Sequence, residues 1–187
     1  MKKSSVYTRG GDEGKTSLVS GARLTKGDSQ IDLYGEVDEL NSHIGYFLSL
    51  DGDSVINKGL NEKIQSALFD LGSRLACEPE NWEKFKLPSL TNSLIEDIER
   101  EIDLLDSGLE KMKYFILPSG SKCGSYGHIV RTVSRRVERK LVRFSQENTI
   151  PTNSLELLNR LSDYYFVLSR FINKSDNMSE TSWIPNE

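Results

Sequence analysis

His128-Ile-Val-Arg-Thr-Val-Ser-Arg-Arg-Val-Glu-Arg-Lys-Leu-Val-Arg-Phe144 carries two periodic patterns at once. Val130, Val133, Val137, Leu141 and Phe144 recur every three or four residues, which is one apolar stripe of a helix. Arg131, Arg135, Arg139 and Arg143 recur every four residues and form a cationic row beside that stripe. One segment therefore predicts both a packed helix and a concentrated positive charge.

The same period extends outward in both directions. Leu33, Val37, Leu40, Ile44 and Phe47 or Leu48 make one stripe, and Leu60, Ile64, Leu68, Leu71 and Leu75 make another. Ile95, Ile98, Ile102, Leu105 and Leu109 make a third, and Leu155, Leu158, Leu161, Tyr165, Leu168 and Ile172 follow the arginine helix. Pro79, Pro88, Pro118, Pro151 and Pro185 all fall between or beyond these stripes. A proline inside a helix costs about 3 kcal/mol, so this placement supports the segmentation. Ser93-Leu-Ile-Glu96 and Asn153-Ser-Leu-Glu156 have the pattern of capping boxes. The expected fold is all-α, an antiparallel five-helix bundle joined mostly by short connections.

The 187 residues suit one domain, with residues 1–30 as a loop, 31–174 as the bundle and 175–187 as a tail. The segment from Cys77 to Leu90 is the longest connection and is expected to be mobile. The first thirty residues hold Gly10, Gly11, Gly14, Gly21 and Gly27 and lack helical periodicity. They predict an extended glycine-rich loop with a short strand at Thr16 to Val19.

Composition narrows the function. Lys plus Arg is 24 and Asp plus Glu is 28, a net charge of −4, which argues against a general nucleic-acid binder. Residues 131 to 143 alone carry +5, so the rest of the chain carries −9. Cys77 and Cys123 read as reduced structural thiols, and His43 and His128 belong to no metal-ligand spacing. The first residues lack an apolar core of the secretory type, and no stretch is long enough to span a bilayer. A soluble cytoplasmic protein that touches neither membrane nor nucleic acid is expected.

Gly10-Gly-Asp-Glu-Gly14-Lys15-Thr16 superficially resembles a phosphate-binding P-loop. Only three residues separate Gly10 from Gly14, no buried strand precedes them and no helix follows, so that reading fails. Glycines with Thr8, Thr16, Ser17, Arg9, Lys15 and Lys26 still suit the wrapping of an anion. A solvated arm accounts for the segment equally well. The arginine row discriminates better. Like charges four apart destabilise a helix by a few tenths of a kcal/mol per pair, and Glu138 is the one acid inside the run. The row calls for an outside anion, or for acids from another helix or subunit. Arginine suits bidentate recognition of phosphate. A polyphosphate site is favoured over a solvated basic face and over an RNA-binding helix, which lacks an aromatic stacking platform. Asp38 and Asp163, close to apolar stripes, are candidate partners for the row.

Six stretches in the same order resemble the ATP:cob(I)alamin adenosyltransferases of the PduO type. They are Tyr7-Thr-Arg-Gly-Gly-Asp-Glu-Gly-Lys-Thr16, Tyr34-Gly-Glu-Val-Asp-Glu-Leu-Asn41, Phe69-Asp-Leu-Gly72, Phe115-Ile-Leu-Pro118, His128 to Arg139, and Leu158-Asn-Arg-Leu-Ser-Asp-Tyr164. The likeness covers Tyr7 to Phe171. It implies a homotrimer with each active site between two subunits. It also implies transfer of the 5′-deoxyadenosyl group of ATP to the cobalt of cob(I)alamin, giving adenosylcobalamin and triphosphate. Mg²⁺ would be held mainly by the phosphates of ATP, with no protein ligand assigned.

The resemblance also implies residue roles. Thr8, Arg9, Gly10, Gly11 and Thr16 would wrap ATP and Lys26 would reach its phosphates. Arg135, Glu138, Arg139 and Asn159 would complete the nucleotide site, with Arg135 on the triphosphate. Arg131 would pair across the subunit interface with Asp38 beside the corrin, and Phe115 would help exclude the lower axial ligand of cobalt. Gly10 stands where the family often has Thr or Asn, and Ser119 where Gly is common. The alternative is a non-catalytic trimeric bundle that binds nucleotide or cobalamin as a carrier or regulator. An unrelated kinase or NTPase is disfavoured by the failed P-loop spacing.

Overall fold

The computed structural model describes residues 7, 9–50 and 55–185. A two-stranded hairpin, β1 (Lys15–Ser17) and β2 (Arg23–Thr25), precedes five helices. They are α1 (Ser29–Ser49), α2 (Lys58–Leu75), α3 (Asn92–Ser107), α4 (Lys122–Phe144) and α5 (Ser154–Ser175). Each buries the stripe its period defines: Leu33, Val37, Leu40, Ile44 and Phe47 in α1, for example, and Val130, Val133, Val137 and Leu141 in α4.

The helices close into a ring in the order α1, α2, α3, α5, α4. Side-chain pairs give their directions. Arg136 meets Glu39 and Lys140 meets Asp32, so α1 and α4 run antiparallel. Lys63 meets Asp97 and Asn57 meets Glu101, so α2 and α3 do too. Five elements cannot alternate completely around a ring. The unavoidable parallel pair is α3 with α5, where Glu99 meets Arg160 and Asp106 meets Arg170.

α5 is the central helix. Leu157, Leu158, Leu161, Tyr164, Tyr165, Leu168 and Ile172 are buried on more than one face. Two buried tyrosines need hydroxyl partners. Asn61 of α2 supplies both, donating from Nδ2 to Tyr164 Oη at 2.9 Å and accepting from Tyr165 Oη at 2.8 Å. α4 approaches α5 closely through glycine. A Cβ on Gly127 would lie 2.3 Å from Ser169 Oγ, and one on Gly124 would lie 2.1 Å from Asn173 Oδ1.

Several sequence expectations need correction. The strand placed at Thr16 to Val19 is β1 at Lys15–Ser17, and it pairs with β2, which was not anticipated (Lys15 opposite Thr25, Ser17 opposite Arg23). α1 begins at Ser29, where Asp28 caps Gln30 N. Neither capping box forms. Ser93 lies inside α3, whose N-cap is Thr91, and Ser93 Oγ donates to Thr91 Oγ1. Asn153 does cap α5, but its φ of 67° turns the side chain away, and Nδ2 donates to Leu90 O at 3.3 Å. The Cys77–Leu90 connection contains a 3₁₀ turn at Pro79–Asn81, and Arg74 Nη2 donates to Leu87 O across it. Residues 176–185 are more than a tail. They fold back so that Ile116 bridges Ser182. Cys77 and Cys123 are buried and unbridged.

Candidate active site

α4 runs the length of the bundle, and its two ends differ. Near its C-terminus lie the start of α1 and the end of α2, to which the hairpin is tied. Val19 N donates to Ala76 O at 2.9 Å, and Ser20 Oγ donates to Glu78 Oε1 at 3.0 Å. Near its N-terminus lie the Phe115 segment and the residues beyond α5. At 1.5 Å per residue, Arg131 to Arg139 spans about 12 Å between these ends.

The hairpin shapes the glycine loop. Arg9 adopts a φ of 63°, a left-handed conformation that costs a side-chain-bearing residue roughly 1–2 kcal/mol. Asp12 N donates back to Arg9 O, and Arg23 Nη2 donates to Gly10 O at 2.9 Å. Lys26 lies over Gly11, where an added Cβ would come within 3.3 Å of Lys26 Nζ. The loop thus presents Arg9, Gly10, Gly11 and Lys26 on a curled backbone with Thr16 in β1. Thr8 lies outside the described residues.

The basic residues of α4 divide by face. Arg136 donates to Glu36 and Glu39 at 2.6 Å each, and Lys140 bonds Asp32 and Glu36 at 2.6 Å. Burial alone would raise the Glu36 carboxyl, but Lys140 and Arg136 together hold it below the usual carboxylate range. The acids that meet α4 within the subunit are therefore Asp32, Glu36 and Glu39, not Asp38 or Asp163. Asp163 pairs with Arg160 at 2.9 Å, and the exposed Asp38 carboxylate meets no cation within the subunit among the described residues. Nor do the exposed Arg135 and Arg139 meet a carboxylate there. Glu138 accepts instead from Asn159 Nδ2 on α5 at 3.1 Å.

Arg131 is held differently. Its Nε is buried without a hydrogen-bond partner among the described residues, and its guanidinium sits 5.9 Å above the Phe166 ring. Burial and the neighbouring Arg135 both lower its pKa. One turn earlier, His128 is 4% exposed and packs on the same Phe166 at 6.1 Å, with both ring nitrogens unpartnered among the described residues. Its pKa falls to about 4, first through burial and then through Arg131, so the ring is neutral at pH 7.

Phe115 stands apart, 76% exposed, with its ring 6.4 Å from that of Trp183. Ser119 takes part in the backbone that supports it, accepting from Asn173 Nδ2 at 2.8 Å. The structure thus brings Glu138 to Asn159 and Gly11 to Lys26, while Asp38 and Arg131 do not meet within one subunit. Sequence reasoning missed the roles of Phe166, Arg170 and Glu180. Arg170 carried a signal, being an arginine set among the buried positions of the last stripe.

Among the described residues, Arg135 and Arg139 are exposed on α4 without a carboxylate partner, the glycine loop curls at the hairpin, and Phe115 lies exposed near the other end of the helix. The family model for cobalamin adenosyltransferase matches residues 6–172. A corrinoid adenosyltransferase of Bacillus subtilis is 39% identical over 95% of this chain and 91% of its own. The human corrinoid adenosyltransferase is 36% identical over 97% of this chain and 74% of its own. A phenylalanine-to-alanine variant of the PduO-type ATP:corrinoid adenosyltransferase of Lactobacillus reuteri, complexed with cobalamin and ATP, superposes with a TM-score of 0.90. It has 34% identity and covers 95% of this chain and 98% of that one. The chain belongs to the cobalamin adenosyltransferase family, whose members are transferases acting on corrinoids.

Proposed function

We propose that this chain moves the 5′-deoxyadenosyl group of ATP to the cobalt of cob(I)alamin. The observation that carries this is the division of the α4 cations: two are neutralised by α1, while Arg135 and Arg139 stay open beside Glu138 and Asn159. Family membership supports the same reaction, and the Lactobacillus reuteri structure is described as a complex with both cobalamin and ATP.

In this reading the cobalt(I) electron pair forms the bond to C5′ of the nucleotide. The C5′–O bond breaks, and its electrons leave with triphosphate. Cobalt supplies the nucleophile, so the protein needs none. Its work is to hold the reactants in line and to stabilise the charge growing on the leaving group. Arg135 contacts the triphosphate, Arg139, Glu138 and Asn159 complete the nucleotide site, and Thr8, Arg9, Gly10, Gly11, Thr16 and Lys26 wrap ATP. Phe115 faces the lower side of the corrin and keeps its axial ligand away.

No group of three or more His, Cys, Asp or Glu among the described residues forms a metal cage. In this reading Mg²⁺ is held mainly by the phosphate oxygens of ATP, with no protein ligand assigned. When bound, Mg²⁺ would offset charge on the phosphates. The chain acts as one domain assembled as a homotrimer in the cytoplasm. The unpaired Asp38 and the half-buried Arg131 with its orphaned Nε support a pairing between subunits. Among the described residues no helix is long and apolar enough to cross a membrane.

The test is anaerobic mixing of the protein with ATP and chemically reduced cobalamin. Loss of the cob(I)alamin spectrum with stoichiometric triphosphate is expected. An unchanged spectrum with ATP bound would instead favour a non-catalytic carrier.

A further inference from the structure

Arg170 of α5 is 4% exposed, although its side chain ends in a guanidinium with five N–H donors. A buried guanidinium is retained only where its donors are met. Here they reach three separate segments. Nε donates to Glu180 Oε1 at 2.6 Å and Nη2 to Glu180 Oε2 at 3.2 Å, beyond the end of α5. Nη2 also donates to Glu110 O at 2.8 Å, in the connection leading to Phe115. Nη1 lies 3.7 Å from Asp106 at the end of α3.

The segment that Glu180 anchors continues directly into a backbone ladder with the Phe115 segment. Leu117 N donates to Thr181 O at 2.8 Å, and Trp183 N donates to Phe115 O at 2.6 Å. Extended backbone sends successive side chains to opposite faces. Tyr114 and Ile116 line a cleft of about 680 Å³, together with Arg170, Met178 and Glu180. Phe115 does not line it and points the other way, beside Trp183. The cleft side is the anchored side, and the opposite side presents the aromatic.

We propose that Arg170 and Glu180 form a clasp that positions Phe115 by holding residues 181–183 as a strand against residues 115–117. The inference rests on the reading above that Phe115 faces the corrinoid. Arg170 and Glu180 are positioning residues, since neither needs to touch a substrate. A short, isolated pair of strands is marginal in water. Without the Glu180 carboxylate, the ladder should open and Phe115 should lose its fixed place.

Glu180→Ala tests this in the full chain. Amide hydrogen exchange in residues 115–117 and 181–183 is expected to speed up about tenfold, with the bundle helices unchanged. Turnover should fall about fivefold while the KM for ATP stays at the wild-type value. Because Phe115 is proposed to keep the lower axial ligand off cobalt, the fraction of added cob(II)alamin that loses this ligand in the presence of ATP, read by electron paramagnetic resonance, should fall with it. Glu180→Gln, which keeps the acceptor oxygen, should recover part of each. Unchanged exchange in Glu180→Ala overturns the clasp. Faster exchange with wild-type turnover and spectrum overturns its positioning role. A wild-type protein that transfers no adenosyl group sinks the parent reading, whereas an active wild type beside an equally active Glu180→Ala sinks the clasp alone.

Discussion

Asn159 on α5 donates from Nδ2 to Oε1 of Glu138 on α4 at 3.1 Å, where the two helices run antiparallel. The bond fixes the one acid of the arginine row in a neutral contact, and it leaves Arg135 and Arg139 without a carboxylate partner among the described residues. A free, oriented pair of guanidinium groups is what a triphosphate requires.

Asn159→Ala should therefore weaken ATP binding. In the proposed site Asn159 also contacts the nucleotide, and losing one hydrogen bond to a charged group there costs about 1.5 kcal/mol, roughly tenfold in affinity. Titration calorimetry with ATP measures it directly. Wild-type affinity would show that the contact is only structural.

On the proposed reading, in which Arg135 contacts the triphosphate, Arg135→Ala should lower turnover roughly 100-fold or more by removing a donor to charge that grows in the transition state. The residue is exposed and meets no acid among the described residues, so the melting temperature should hardly move. Full activity in the variant would refute its assignment to the triphosphate.

Asp38→Asn should act on the corrinoid rather than on ATP. In the proposed homotrimer Asp38 pairs with Arg131 of a neighbouring subunit, and breaking such a desolvated pair would cost about 2 kcal/mol, or roughly 30-fold. The expected result is a raised KM for cob(I)alamin with an unchanged KM for ATP. Equal loss of both would place Asp38 elsewhere.

His128 predicts a pH dependence of stability. Its folded pKa is depressed to about 4, below the unfolded value near 6.5, so between these the unfolded chain binds more protons. Stability should rise with pH through this window and be lost on acidification from pH 6.5 towards pH 4, by on the order of 3 kcal/mol. Urea unfolding at several pH values measures it. His128→Phe, which keeps a ring beside Phe166, should flatten that part of the curve.

Much of this was legible in the chain. The stripes located the five helices, because helical period is a local property and each stripe must be buried. The two capping boxes failed because short polar motifs are local too, and a shift of two residues at Ser93 or a bond to Leu90 O at Asn153 redirects the side chain. The hairpin's second strand was missed because three residues are too few to show a period. Residues 175–187 read as a tail because nothing in their own sequence names Arg170 or Phe115 as partners.

By itself, the sequence determined that five amphipathic helices form and that one of them concentrates positive charge. Only the tertiary structure decided which charges stay available. Arg136 and Lys140 are cationic side chains of the same helix as Arg135 and Arg139, but packing α4 against α1 sets the first two on Asp32, Glu36 and Glu39, about a hundred residues earlier. The 3.6-residue repeat fixes which side chains share a face. It cannot say which helix that face will meet, because helix neighbours are chosen by burial of the whole core, and in a ring of five even their directions cannot all alternate.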